Sequence, residues 1–591
     1  MALFVGLLMY TRIRKIKRAN GHIDEYVEIL ESYREDGKIH KKRIANLGNK
    51  SILKTQLQSL LKILDPSLLV NPIDSIQSKS SAPYGIIFLV HHYFSELRLW
   101  EALDSLSNSN GWADRVAVLV ANRLSKPSSE HGLAGWLDTT YVIDRDGNRF
   151  LPEWKQHERV KVDLSWLQTF YRALDVLIEN KETIEKELYL QLRDLFHLKV
   201  EMVFYDLTST YFEGSGPAGI ARYGHSRDKK KGNRQVLVGL VMANGFPIAH
   251  HTFAGNLRDH KTVETVIKDL EKRFEVGRIV FVGDRGMVTA DVFSMVKDHQ
   301  HGYLVGLQRR QRENIIRYIE QMEGPGELCS AGLTAKEKAL ETRVWEVPGD
   351  NAGERIFIVH SDERQAYEEA MREKSRGRVK EALEGLKERV ATGRLKKKEE
   401  IGFAAGKILS QNHGHRYYDW KLTEEGQFEY FDHPVNFERE KKIEGKYVIQ
   451  TEEKDLAPVE AVTRYKELSD VERGFRSLKD VIDMRPIYHQ TESRTRAHIF
   501  VATLAFLIER MMEKRLKEAN SILSVKDAIQ ALHSIQVVEY EVGDQKKKGV
   551  TAGSDRARQA LKALKLNRVE LPKTLPPRKL VPVGSQGKFP F

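Results

Sequence analysis

Between residue 197 and about 308 the apolar residues space themselves as strands alternating with helices, and this stretch limits the possible folds more than any other. Runs at 200–211, 235–243 and 247–253 read as successive strands. The second and third are joined by Asn244-Gly245, a pair suited to a two-residue hairpin turn. A helix over 262–274, a strand through 279–283, a helix over 290–299 and a strand over 303–307 follow. Three strands and then helix–strand–helix–strand predict an α/β layout with a mixed sheet.

The chain is 591 residues long, which predicts several domains rather than one core. Residues 1–50 alternate as a basic β-ribbon, with turn pairs at Asn20-Gly21 and Asp36-Gly37, and Lys and Arg outnumber Asp and Glu there. Residues 51–196 read as helical and DNA-binding, with segments at 57–64, 95–106, 114–124 and 166–179. The strand-rich core runs over 197–308, and an insertion over 309–440 carries strand-like pieces around a charged helical run at 362–394. The core resumes over 441–520, with a strand at 446–451 and helices at 458–480 and 493–517. A C-terminal helix and a basic, Pro-rich, mostly irregular tail fill 521–591.

A formal net charge of +12 favours a polyanionic partner. The single cysteine, Cys329, excludes an internal disulfide framework and points to a cytoplasmic protein. No run reaches the ~20 apolar residues that span a bilayer. The opening apolar run is short and its charges follow it, the reverse of a signal peptide.

Three acids stand where strand ends and a helix edge could bring them together. Asp206 follows Val203-Phe204-Tyr205, and Asp284 follows Ile279-Val280-Phe281-Val282-Gly283. Glu472 lies on the helix after the strand at 446–451. Converging carboxylates repel unless cations lie between them, and oxygen-only ligands suit Mg²⁺ or Mn²⁺. On a helical wheel at about 100° per residue, Tyr465 and Lys479 fall within about 20° of Glu472, and Arg476 about 40° away. Leu468, Val471, Phe475, Leu478 and Ile482 form a separate apolar stripe.

These segments together resemble the DDE transposases of bacterial insertion sequences, in the branch with a long β-rich insertion before the last acid. That branch spaces Tyr, Arg, Glu and Lys around its catalytic Glu. Tyr465, Glu472 and Lys479 fall in register, while the Arg position holds Leu468, for which Arg473 or Arg476 could substitute. Tyr205-Asp206, Tyr223-Gly-His-Ser-Arg-Asp228, Gly245-Phe-Pro-Ile-Ala-His250, Gly283-Asp284-Arg285-Gly286, Arg485-Pro-Ile-Tyr488 and Arg494-Thr-Arg-Ala-His498 are similar to the same branch. The resemblance implies a ribonuclease H-like core in which Asp206, Asp284 and Glu472 hold two Mg²⁺ (or Mn²⁺) ions. It implies nicking at transposon ends followed by strand transfer into target DNA. Tyr465, Lys479, Arg473, Arg476 and Arg285 become the expected DNA contacts. The expected partners are terminal inverted repeats and target DNA, with the protein a homodimer on paired ends, nucleoid-associated in a bacterial cytoplasm and away from membranes.

Glu492 is the chief rival for the third acid, but it opens a new helix and reads as a first-turn acid. Glu213, Asp228 and Asp291 read as supporting or first-turn acids, and His225, His250, His251 and His260 as structural. Two rival functions are a DNA-binding relative without catalysis and a nuclease on the same fold. The long interval between Asp284 and Glu472 favours the transposase.

Overall fold

The computed structural model describes residues 8–18, 23–35, 38–53, 76–107, 111–150, 165–196, 201–230, 232–274, 277–283, 289–307, 312–329, 341–411, 413–542, 545–566 and 569–570. The chain divides into two units, residues 1–81 with 538–549, and residues 82–537 with 550–591.

In the first unit, β1 (Leu8–Lys17), β2 (Ile23–Glu35) and β3 (Lys38–Asn49) form an antiparallel sheet. Its turn pairs Asn20-Gly21 and Asp36-Gly37 lie outside the described residues, as does the helix expected at 57–64. Glu28 is buried at the sheet's centre and accepts from Arg12, Arg14 and Arg43 at 2.9, 3.5 and 3.3 Å. A second sheet joins β4 (Ile76–Pro83), β16 (Gln536–Val542) and β17 (Gln545–Val550) in the order β17-β16-β4. The tail read as mostly irregular therefore begins with a strand, and a helix at Asp555–Ala563 follows. The lysines of Gln545–Val550 mask the strand from a reading based on hydrophobicity, since an edge strand keeps charge on its exposed side.

The second unit is built on the central sheet, ordered β10-β11-β12-β15-β9-β8-β5-β6-β7. These strands are Glu327–Leu328, Thr342–Pro348, Arg355–Ser361, Lys446–Thr451, Gly302–Gly306, Val280–Gly283, Met202–Tyr211, Gln235–Ala243 and Phe246–Ala254. β5, β8 and β9 run parallel and the other neighbours antiparallel, so the sheet is mixed. Every residue of β6 is buried, which explains why it reads as an unbroken apolar run rather than an alternating one. Asn244 and Gly245 turn β6 into β7 with φ of +49° and +81°. Both residues of a two-residue turn need positive φ to match strand twist, and Asn and Gly tolerate it.

Alternate side chains enter two cores. Phe204, Val238, Leu240, Val280 and Val282 face the helices Pro458–Asp480 and Glu492–Glu518 and much of the helical region from Gly85 onward. Tyr205, Leu237, Phe281 and Tyr303 face the helices His260–Phe274 and Ala290–Asp298. The apolar run near 499–508 is the buried middle of the Glu492–Glu518 helix. No helix among the described residues is long and apolar enough to cross a membrane.

β11 and β12 belong to this sheet rather than to a separate body, because β12 pairs with β15 over Arg355–His360. The helices Asp362–Ala391 and Lys398–Gln411 and the hairpin of β13 (Tyr418–Leu422) and β14 (Phe428–Asp432) close around their own core of Val379, Leu383, Ile401 and Phe428. This excursion leaves and rejoins the sheet at one point, where Ser361 N–H donates to Gly445 O at 2.9 Å.

Candidate active site

β5 presents Asp206 on the same face as Phe204, since side chains two apart on a strand share a side. Asp206 is half-buried, and one of its carboxylate oxygens accepts from Leu207 N–H at 2.7 Å. In the parallel pairing of β5 with β8, Tyr205 stands opposite Gly283, each the residue before an acid. Asp284 and Arg285 lie outside the described residues.

The Pro458–Asp480 helix begins with proline in its first turn, where a missing N–H costs no hydrogen bond. Its predicted stripe is buried at every position: Leu468, Val471, Phe475, Leu478 and Ile482. The helix contacts β5, β8 and β9. Gly474 makes the closest approach to its neighbour, since a Cβ there would lie 2.7 Å from the Phe506 ring and 3.5 Å from Leu240. Leu468 serves this packing, which accounts for an apolar residue where the resemblance expects arginine.

Glu472 is exposed at the edge of that packed stripe. Tyr465, half-buried, stacks on Tyr447 of β15 with ring centroids 5.9 Å apart. Arg473 is exposed and paired with Asp470, and Arg476 is exposed one turn beyond Glu472. Lys479 does not project freely. It donates to Asp228 at 2.8 Å, and Arg485 donates to the same oxygen at 2.5 Å. Asp228 is 4% exposed at its side chain, so the trio fastens the 213–234 loop to the end of the helix. Burial, with Arg485 and Arg227 nearby, lowers the Lys479 ammonium pKa despite the hydrogen bond to Asp228.

The remaining titratable groups separate as expected from their positions. Glu492 is the first residue of its helix and pairs with Arg496 at 2.7 Å. Asp291 sits in the first turn of Ala290–Asp298, capped by Thr289, and is exposed. Glu213 is exposed, its N–H donating to Ile487 O. His225 is exposed, His260 half-buried, and His251 lies 3.2 Å from Asp269. His250 is fully buried against Glu185 at 2.7 Å, and Lys181 and Arg273 complete that network at 2.6 Å each. Lys181, the His250 imidazole that hydrogen-bonds it and Arg273 together hold the Glu185 carboxyl well below its ordinary range despite burial. Sequence reading missed two clusters, Asp228–Lys479–Arg485 and Glu130–His489–His498. Asp228 and Arg485 stood in separate motifs, and nothing in their spacing signalled that they meet.

The chemistry available at the sheet is set by carboxylates on a strand and a helix edge, with cations beside them. Residues 201–508 match the family model described as Transposase DDE domain, and residues 12–67 match that of the IS1634 family transposase, N-terminal domain. No curated protein matches the sequence. Among solved structures, the piggyBac transposase synaptic complex with hairpin DNA is similar with a TM-score of 0.32 and 9% identity, over 77% of this chain and 79% of that one. The chain belongs to the DDE transposases of insertion sequences, with an N-terminal segment similar to that of IS1634 family transposases, and is an enzyme of DNA transposition.

Proposed function

We propose that Asp206, Asp284 and Glu472 are the acids of a ribonuclease H-like catalytic core that cuts double-stranded DNA at the ends of its own element and joins them to target DNA. The observation that supports this is the pairing of Tyr205 with Gly283 under the Pro458–Asp480 helix. It sets the backbones that lead into Asp206 and Asp284 side by side on the sheet face crossed by the helix of Glu472. The donor set is three carboxylates with no nitrogen or sulfur, which fits a pair of Mg²⁺ or Mn²⁺ ions. Such ions, when bound, lower the pKa of an attacking hydroxyl and offset charge on the leaving oxygen.

The chain's own residues supply position and fixed charge. The sheet holds Asp206, and the buried stripe from Leu468 to Ile482 fixes the rotation of the helix that aims Glu472. The Asp228–Lys479–Arg485 trio carries a net charge of about +1 and, with Arg476, offers donors to backbone phosphate. Arg285, Arg473 and Tyr465 extend this surface in our reading, and the basic β1–β3 sheet grips the terminal repeats. We read the active species as a homodimer on paired ends, working in a bacterial cytoplasm at the nucleoid. A relative without catalysis is not favoured, because all three acids are present.

The test is a cleavage assay on DNA carrying the element's ends, with Mg²⁺ or with chelator. Asp206→Asn, Asp284→Asn and Glu472→Gln are each expected to lose cleavage by several hundred-fold or more while keeping end affinity within a few-fold. A variant that still cuts at the wild-type rate removes that residue from the site.

A further inference from the structure

Away from these acids, Glu130, His489 and His498 meet in the interior. Glu130 opens the short 3-10 turn Glu130–Gly132, His489 precedes the Glu492–Glu518 helix, and His498 lies within it. All three are buried, and one donor atom from each lies within 4.8 Å of the others. His489 Nε2 is 3.4 Å from a Glu130 carboxylate oxygen, and His498 Nδ1 is 3.9 Å from the same oxygen. Donors on a tetrahedral ion with bonds of about 2.0–2.1 Å stand about 3.3–3.4 Å apart. One edge is already at that length, the second needs about half an ångström, and the third, between the two imidazoles, is no longer than 4.8 Å.

The two imidazoles are prepared in different ways. His498 Nε2 lies 3.1 Å from Met484 O and donates to it, which leaves the Nδ1 lone pair facing Glu130. An imidazole oriented by a backbone carbonyl through its far nitrogen is how protein ligands to metals are usually held. His489 Nε2 is buried and makes no hydrogen bond, being poorly aligned for Glu130 although close to it. A buried polar atom without a partner needs an explanation, and a ligand to an ion supplies one. Beside the cluster is a cavity of about 370 Å³, lined in part by Ser128, Ser129, Tyr171 and Tyr488, with room for a water as fourth ligand.

One group opposes a cation. Arg123 Nη2 lies 3.3 Å from His498 Nδ1 and donates to it, while Nη1 donates to Asp483 O at 3.0 Å. An ion would take the first bond and leave the second, so the guanidinium keeps an anchor.

We propose that Glu130, His489 and His498 form a metal site distinct from the DDE acids, for a zinc-class ion. Two nitrogens and one oxygen favour Zn²⁺, Co²⁺ or Ni²⁺ over Mg²⁺. The ion clamps the 481–491 connection, which follows the helix of Glu472 and carries Arg485, to the turn at Glu130.

The test is equilibrium dialysis of the full-length protein with Zn²⁺ under excess Mg²⁺, together with the absorption spectrum of the Co²⁺ form. Wild type is expected to retain one zinc and to give the intense visible bands of a tetrahedral cobalt site. His489→Gln and Glu130→Gln should each weaken retention by at least tenfold and lose the bands. A variant with Asp206→Asn and Glu472→Gln should keep both, which separates this site from the oxygen-only one. Circular dichroism verifies that each variant folds, and His498→Gln serves if one does not. Wild type without zinc, or zinc held equally by wild type and His489→Gln, overturns the proposal.

Discussion

The ion trio at the end of the Pro458–Asp480 helix makes an unusual demand on mutants: a second substitution should repair the first. Lys479 and Arg485 both donate to one oxygen of Asp228, so their cationic nitrogens stand at most about 5 Å apart. Asp228→Asn removes the anion and keeps both cations. At an effective dielectric of about 20, two unit charges at that distance repel by ~3 kcal/mol. Arg485 is 27% exposed at its side chain and can swing toward water, which reduces the expected loss to about 2 kcal/mol. Lys479→Met alone leaves Asp228 paired with Arg485 and should cost about 1 kcal/mol. In the double variant the repulsion is gone, so it should be about 1 kcal/mol more stable than Asp228→Asn alone. Denaturant midpoints followed by tryptophan fluorescence measure this directly. Additive losses, or a double variant less stable than either single one, would refute a shared buried anion. The same Lys479→Met protein should bind element-end DNA with a salt slope smaller by about one, because one cation near phosphate is lost.

Two further outcomes follow from the packing and the buried histidines. Gly474→Ala places a methyl 2.7 Å from the Phe506 ring; overpacking of about 1–3 kcal/mol outweighs the ~1 kcal/mol that alanine adds to helix propensity. Because Glu472 is two residues away, the cleavage rate should fall further than the melting temperature predicts, and unchanged cleavage would show that the helix position is not critical. His250 is fully buried, and burial with nearby Lys181 lowers its pKa from 6.5 to about 4. The unfolded chain therefore binds a proton between pH 6.5 and 4 that the folded chain refuses. This share of stability is complete above pH 6.5 and falls by ~1.4 kcal/mol per pH unit as the solution is acidified, by roughly 3 kcal/mol in all. His250→Gln should flatten that part of the stability profile; an unchanged slope would assign the acid sensitivity elsewhere.

Local signals in the chain carried much of this architecture. Asn244-Gly245 marked its hairpin because left-handed backbone is tolerated by few residues, and the stripe from Leu468 to Ile482 marked the buried face of its helix. Glu492 was recognisable as a first-turn acid for a similarly local reason. Long-range pairing was not legible. β12 finds β15 across the whole Asp362–Ala391 helix and beyond, and no periodicity within either strand names its neighbour. Lys479 lay correctly on the wheel near Glu472, but its ammonium turns to a residue some 250 positions earlier. Glu130, His489 and His498 escaped notice because a metal-like cluster assembled from distant segments leaves no spacing to read.

The hydrogen bond between Ser361 and Gly445 has a consequence for how such a protein can change. Residues 362–444 leave and rejoin the sheet at two ends that already touch, so a replacement there has to close the same gap and cover the patch where Ile443 packs on Ile315, Ile316 and Val448. Loop length enters folding free energy only logarithmically, at about 0.6 kcal/mol per doubling. A short turn, or a different module with adjacent termini, could occupy that point while β12 and β15 stay zipped. Cutting earlier, through β12, would strip β15 of one of its two neighbours and leave a raw edge for another chain to find.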